Sequence, residues 1–236
     1  MSEARQGRPE RQPATPAEPG GARRGVPAIA VLLAACAGAA DTLAFFGLGK
    51  AFAGIVTGNL VTAGYGIATG NAGLIKPTVT AVAGCIAGEI TWAWLLRRPR
   101  AADWLLLAQL ALLLCVLTGW LAAGSHPSGA VTLVLLALVA VALGGQGMWA
   151  LRINQTTTYF TGMLTRSINA AAAGSPASLA TSARQLCGLL AGAIAGGVVL
   201  HLLRQAAPAV PVALLSAAAA VHIHERRADA AAAPPR

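Results

Sequence analysis

Charge is scarce in this chain. Only 11% of its 236 residues are Asp, Glu, Lys or Arg, where a soluble domain carries roughly 25%. That is too little charge to cover a water-exposed surface, which excludes an ordinary soluble enzyme, and the high apolar content excludes disorder for most of the chain. Aromatic residues are also few, at 5%, so there is no interleaved stacking platform for a nucleic acid. The four cysteines, Cys36, Cys85, Cys115 and Cys187, all fall inside apolar runs without a CxxC pair or a histidine at ligand spacing. They read as small buried hydrophobes, not as disulfides or metal ligands. His222 and His224 are two apart and would point to different sides of a helix. No Walker A loop, GxSxG, HExxH or Rossmann fingerprint occurs, so no catalytic residue, metal or cofactor is expected.

What is present is apolar: 56% hydrophobic residues and a mean hydropathy of +0.65. The expectation is an all-α integral membrane protein. The net charge of +9 does not point to nucleic acid, because of where it lies. Arg5, Arg8, Arg11, Arg23 and Arg24 crowd the first 24 positions, while Arg97, Arg98, Arg100, Arg226 and Arg227 directly follow apolar runs. This is the pattern of cytoplasmic flanks of membrane helices.

Residues 1–24, and again 226–236, lack a hydrophobic period and are expected to be disordered cytoplasmic tails. Leu33-Ala34-Ala35-Cys36 resembles a lipoprotein cleavage box, but the apolar stretch runs on to about Leu48, long enough to span a bilayer. Apolar segments follow at about 26–48, 52–70, 77–96, 103–123, 129–151, 155–173, 178–203 and 208–224. Eight crossings with the amino terminus inside would put Arg97, Arg98 and Arg100 outside. If the two most polar segments, 52–70 and 155–173, are instead re-entrant or half-helices, six helices cross and both termini are cytoplasmic. Every arginine cluster then lies inside, leaving only Lys50, Lys76 and Arg204 outside. Basic-residue asymmetry favours six crossings.

The two odd segments resemble each other. Thr57-Gly58-Asn59-Leu60 and Thr161-Gly162-Met163-Leu164 each precede, at the same spacing, a second glycine, Gly70 or Gly174. The chain therefore reads as one unit written twice (25–124 and 125–225), about 104 residues apart. An odd number of crossings per unit inverts the second copy, giving a 3+3 inverted repeat of the kind many transporters use.

The run Gly38-Ala39-Ala40-Asp41-x3-Phe45-x2-Leu48, then Phe52-x4-Thr57-Gly58-Asn59, then Thr157-x3-Thr161-Gly162-x-Leu164-Thr165 resembles the YoaK, or DUF1275, family of bacterial membrane proteins. The resemblance covers about 30–225 and implies a multi-helix protein of the bacterial inner membrane. It implies no substrate or catalytic residue. The second copy departs from the pattern, with Met163 in place of a small polar residue and Gly147 in place of Asn.

Asp41 and Glu89 are carboxylates within hydrophobic runs, costly at depth unless paired, hydrated or protonated. Asp41 reads either as a coupling-ion or proton site or as a structural or interfacial acid. Glu89 reads as the same or as an ion-pair partner of Arg166 or Arg184. Those two arginines face a cavity as anion ligands or snorkel to headgroups. Gly84 and Gly88, and Gly188, Gly192 and Gly196, form small-residue faces for close helix packing, with each other across the pseudo-twofold axis or in a homodimer. The two Thr-Gly pairs are expected to cap half-helices whose unpaired N–H ends meet near mid-membrane. Asn59, Thr165 and Arg166 would complete a binding site there for a small solute, an anion or a carboxylate. The partners expected are the bilayer, that solute and, through the glycine faces, a second copy of the chain in a homodimer; no nucleic acid is expected. The leading reading is a small-solute transporter or channel-like permease; the alternative is a non-transporting scaffold or accessory subunit.

Overall fold

The computed structural model describes residues 28–98, 101–152 and 160–232. The tail at 1–24, Arg100, Thr157 and residues 233–236 lie outside the described residues. Among the described residues eight α-helices follow one another: α1 (Ala28–Gly47), α2 (Val56–Ala68), α3 (Ala72–Leu95), α4 (Ala101–Ala122), α5 (Gly129–Arg152), α6 (Phe160–Ala172), α7 (Ala177–Leu202) and α8 (Ala209–Ala232). A 3-10 turn, Arg204–Ala206, precedes α8. No strand occurs among the described residues.

Six of these elements are long and apolar enough to cross a membrane: α1, α3, α4, α5, α7 and the run from Arg204 through most of α8. α2 and α6 are not. At 13 residues each they reach about 20 Å, short of a hydrocarbon core of about 30 Å. The two short helices fall at matching places in the chain, each between a long helix and two more. The outward surface of the bundle is apolar, as lipid contact requires: Val61 is 76% exposed and Leu202 69%.

α1 and α5 are the central helices, with 72% and 56% of their apolar windows buried, while the other four long helices bury about a third. The close packing joins one half of the chain to the other. α1 lies against α7 and α8, and α3 against α5, while α4 lies against α5 and touches α8. The first unit is thus interleaved with the second, not set beside it.

Glycine contacts give the directions. Gly188, Gly192 and Gly196 of α7 meet Val31, Ala35 and Ala39 of α1 in order, so α1 and α7 run parallel. Gly84 and Gly88 of α3 meet Ala137 and Val141 of α5, and Trp92 lies on Gly145, so α3 and α5 are parallel too. Gly119 meets Leu135, while Gln109 reaches Gln146; α4 therefore runs against α5. The ends of α1 and α4 come together where Trp120 packs on Gly47. The ends of α5 and α8 meet at the opposite end, where the rings of Trp149 and His222 lie 5.3 Å apart.

Three expected boundaries move, the third segment beginning at Ala72 instead of 77. The second segment begins at Val56 instead of 52, because 48–55 is irregular backbone and not the first turns of a helix. The last helix does not stop at 224. It continues through Arg226 and Arg227 to Ala232, so 226–232 is not a disordered tail. The Ala-rich sequence Ala-Asp-Ala-Ala-Ala supplies that propensity. Gly70 and Gly174 end the α2 and α6 segments at φ 64° and 91°. A Cβ at either would meet nothing within 4 Å, so the left-handed backbone is what calls for glycine there.

Candidate functional site

Helix α1 breaks at Gly47, followed by Gly49 (φ 116°) and Lys50 (φ 61°). From there the chain folds back along the helix it has just left. The backbone N–H of Gly54 donates to Asp41 Oδ1 at 2.8 Å. Asp41 lies six residues before the end of α1, about 9 Å down its axis. Phe45 and Phe52 stack with ring centroids 4.6 Å apart, which closes the fold from the other side.

Asn59, on the first turn of α2, fixes the same segment. Its Oδ1 accepts from Phe52 N at 2.9 Å and its Nδ2 donates to Phe52 O at 2.6 Å. One buried amide thus replaces both backbone partners that Phe52 would have had in a helix. Asp41 and Asn59 are 9% and 1% exposed. Irregular backbone among apolar helices is tolerated only where its polar groups find partners in the protein, and these two side chains supply them.

The structure brings Asp41 and Asn59 to one place and does not bring the other expected ligands there. Thr57 is exposed, and Gly58 beside it is half-buried. Thr57 is not a cap: the N-cap of α2 is Ile55, with no side-chain hydrogen bond. The helix starts one residue earlier than Thr57 itself because the Asn59–Phe52 pair, not a hydroxyl, sets where it begins. Thr161, Gly162, Thr165 and Arg166 are all exposed on α6. Thr161 is the second residue of that helix, and its carbonyl accepts from Thr165 Oγ1 at 3.0 Å.

α2 packs on the first turns of α3, Gly66 against Leu74 and Ile75. α6 packs near the start of α7, where Ser167 and Ser182 hydrogen-bond. Because α7 runs parallel to α1 and α3 starts beside the end of α1, the two short helices sit at opposite ends of the bundle. The expected single pocket shared by both Thr-Gly pairs is replaced by two separate junctions.

The remaining charged candidates are dispersed. Glu89 is half-buried and accepts from Cys85 Sγ at 3.9 Å. Arg184 is exposed. The five packing glycines do not face each other: Gly84 and Gly88 take α5, and Gly188, Gly192 and Gly196 take α1. These faces are filled within the chain, so they are not available to a homodimer. A Cβ on Gly88 would overlap the carbonyl of Val141, and one on Gly192 that of Ala35. Close backbone approach is what those positions require.

A second buried polar group escapes the sequence reading. Gln109 Nε2 donates to Gln146 Oε1 at 2.8 Å, and Gln146 Nε2 donates to Leu33 O at 2.9 Å, linking α4, α5 and α1. Both amides are at most 1% exposed. The carbonyl of Leu33 can only accept, which fixes the direction of the chain of bonds and leaves Gln109 Oε1 without a partner among the described residues. The available signal is a lone amide in each of two apolar runs, since interhelical amide bonds are a recurrent glue in membranes. No cluster of three or more metal-ligating side chains occurs among the described residues.

Residues 29–221 match a family model described as "Protein of unknown function (DUF1275)", which spans most of the chain. No curated protein and no solved structure gives a significant match.

Proposed function

The chain belongs to the DUF1275 family, and from that premise we propose that it is a multi-pass protein of the bacterial cytoplasmic membrane that passes a small solute, anions included. It has six crossings, two re-entrant short segments and both termini in the cytoplasm. Arg97, Arg98, Arg152, Arg226 and Arg227 gather at the end where α3, α5 and α8 finish, as the positive-inside bias favours. Exchanging α1–α4 for α5–α8 maps the packing of α1 on α7 onto that of α5 on α3. The same exchange maps α1 on α8 onto α5 on α4. That exchange pairs α1 with α5, which run in opposite directions because α1 ends beside the end of α4 and α4 runs against α5; this supports two units of opposite orientation.

One observation carries the transport reading: a buried carboxylate, Asp41, holds a non-helical segment folded back among apolar helices at Gly54 N. Interrupted helices with an intramembrane acid are how membrane carriers couple an ion to a moving backbone. A proton or cation taken up by Asp41 competes with the Gly54 N–H, so occupancy of the carboxylate biases the position of 51–55. α2 starts without a side-chain cap, which leaves its first N–H groups for a ligand's negative charge.

Exposure of Thr161, Gly162, Thr165 and Arg166 favours the second reading, a scaffold or accessory subunit that presents α6 to a partner. Asp41→Asn separates the two. It keeps an acceptor for Gly54 N and removes the charge. Loss of solute uptake or resistance, across a panel of small organic and inorganic ions, at normal membrane expression is the expected result. Full activity of the Asn variant removes Asp41 from the mechanism and leaves the scaffold reading.

A further inference from the structure

A groove of about 670 Å³ runs between α1 and α7 near the end where both helices finish. Its length is apolar, with Phe46 and Ile194, 70% and 57% exposed, on either side. Its floor is low because Gly197 has no side chain and because Thr42 turns its hydroxyl inward, donating to Gly38 O at 2.9 Å. Its mouth holds one cation: Arg204 lines it beside the imidazole of His201, and no carboxylate does.

Arg204 is held, not free to wander. Its Nε donates to Ser125 O at 2.9 Å, its guanidinium lies 5.3 Å from the Trp120 ring centroid, and Trp120 Nε1 donates to Arg204 O at 3.0 Å. The described residues give its terminal nitrogens no acceptor. A fixed guanidinium at the end of a membrane helix, above a lipid-facing apolar trough, matches an amphiphile with an anionic head.

We propose that this groove is a specific site for one anionic phospholipid, with its phosphate on Arg204 beside His201 and an acyl chain along Phe46, Ile194 and Gly197. The lipid belongs to the leaflet that meets the C-terminal end of α1. The site does not depend on the transport reading. Filling the trough tests it independently of the charge. A Cβ at Gly197 would meet only Thr42 Cγ2, at 3.7 Å, so Gly197→Leu enters the groove without displacing backbone.

The experiment is native mass spectrometry of the full chain purified in detergent, offered phosphatidylglycerol or phosphatidylcholine with the same acyl chains. The proposal expects one phosphatidylglycerol to be retained about fivefold over phosphatidylcholine, the factor that one basic residue contributes near a lipid surface. Arg204→Gln should remove the preference for the anionic head, and Gly197→Leu should reduce retention of both lipids severalfold at an unchanged melting temperature. Equal retention of the two lipids by the parent chain overturns the proposal. So does a Gly197→Leu variant that holds phosphatidylglycerol as the parent does, a result that stands even if Arg204→Gln fails to fold.

Discussion

The two short-helix junctions share a scaffold and differ in chemistry. Thr57 and Thr161, Gly70 and Gly174, and Gly88 and Gly192 are all 104 residues apart, while Gly38 and Gly144, which each press on a neighbouring backbone, are 106 apart. In those registers Asp41 corresponds to Gly147, and Asn59 to Met163. Both groups that pin the first junction are therefore missing from the second. The glutamine bridge is one-sided as well: Gln109 and Gln146 correspond to Ala213 and Ala40. Helix packing, which needs only small residues at the right pitch, is common to the two halves. At these positions buried polar chemistry is confined to one site of each pair. The close helix contacts thus recur in both halves of the chain, while each of these buried polar groups lacks a counterpart at the matching position of the other half.

The comparison breaks first at Asn59. Asn59→Ala leaves the N–H and carbonyl of Phe52 without partners, a loss of about 2–4 kcal/mol. The thermal midpoint of the detergent-solubilised protein should fall by about 5–12 °C. An unchanged midpoint would mean that the first junction is no more pinned than the second. Where the halves match, they should respond alike. Gly88→Ala and Gly192→Ala each drive a methyl into a facing carbonyl and should each cost about 1–3 kcal/mol; costs that differ by more than that range would dissolve the equivalence. The smallest effect is expected at the threonines. Thr57→Val and Thr161→Val alter exposed side chains and should shift stability by no more than about 0.5 kcal/mol each. A large loss at Thr57 alone would restore it as a cap.

Much of the architecture is legible in the sequence. The six long helices follow from apolar run length, and the two short ones from polarity and the arginine pattern, because lipid enforces both rules strongly. The α2 and α6 junctions stand out in the sequence as special, but their detail does not. A Thr-Gly pair looks like a helix start from local propensity alone. What decides the start of α2 is a contact over seven residues, Asn59 to Phe52, and no local rule encodes that. The glycine faces are legible as packing surfaces, but their partners are not, since small-xxx-small spacing fits any close neighbour. By sequence Arg204 is an ordinary outside cation. Its tie to Ser125 and Trp120, 79 and 84 residues away, exists only in the fold.

Opposite orientation of the two halves is the claim on which the rest stands, and topology reporters test it most directly. Fusions of a paired cytoplasmic-active and periplasm-active reporter after Arg98, His126 and Ala230 should read inside, outside and inside, so that α3 and α5, which run parallel, both end in the cytoplasm. An outside signal after Arg98 would contradict the account, restore eight crossings and separate the arginine clusters to opposite faces of the membrane.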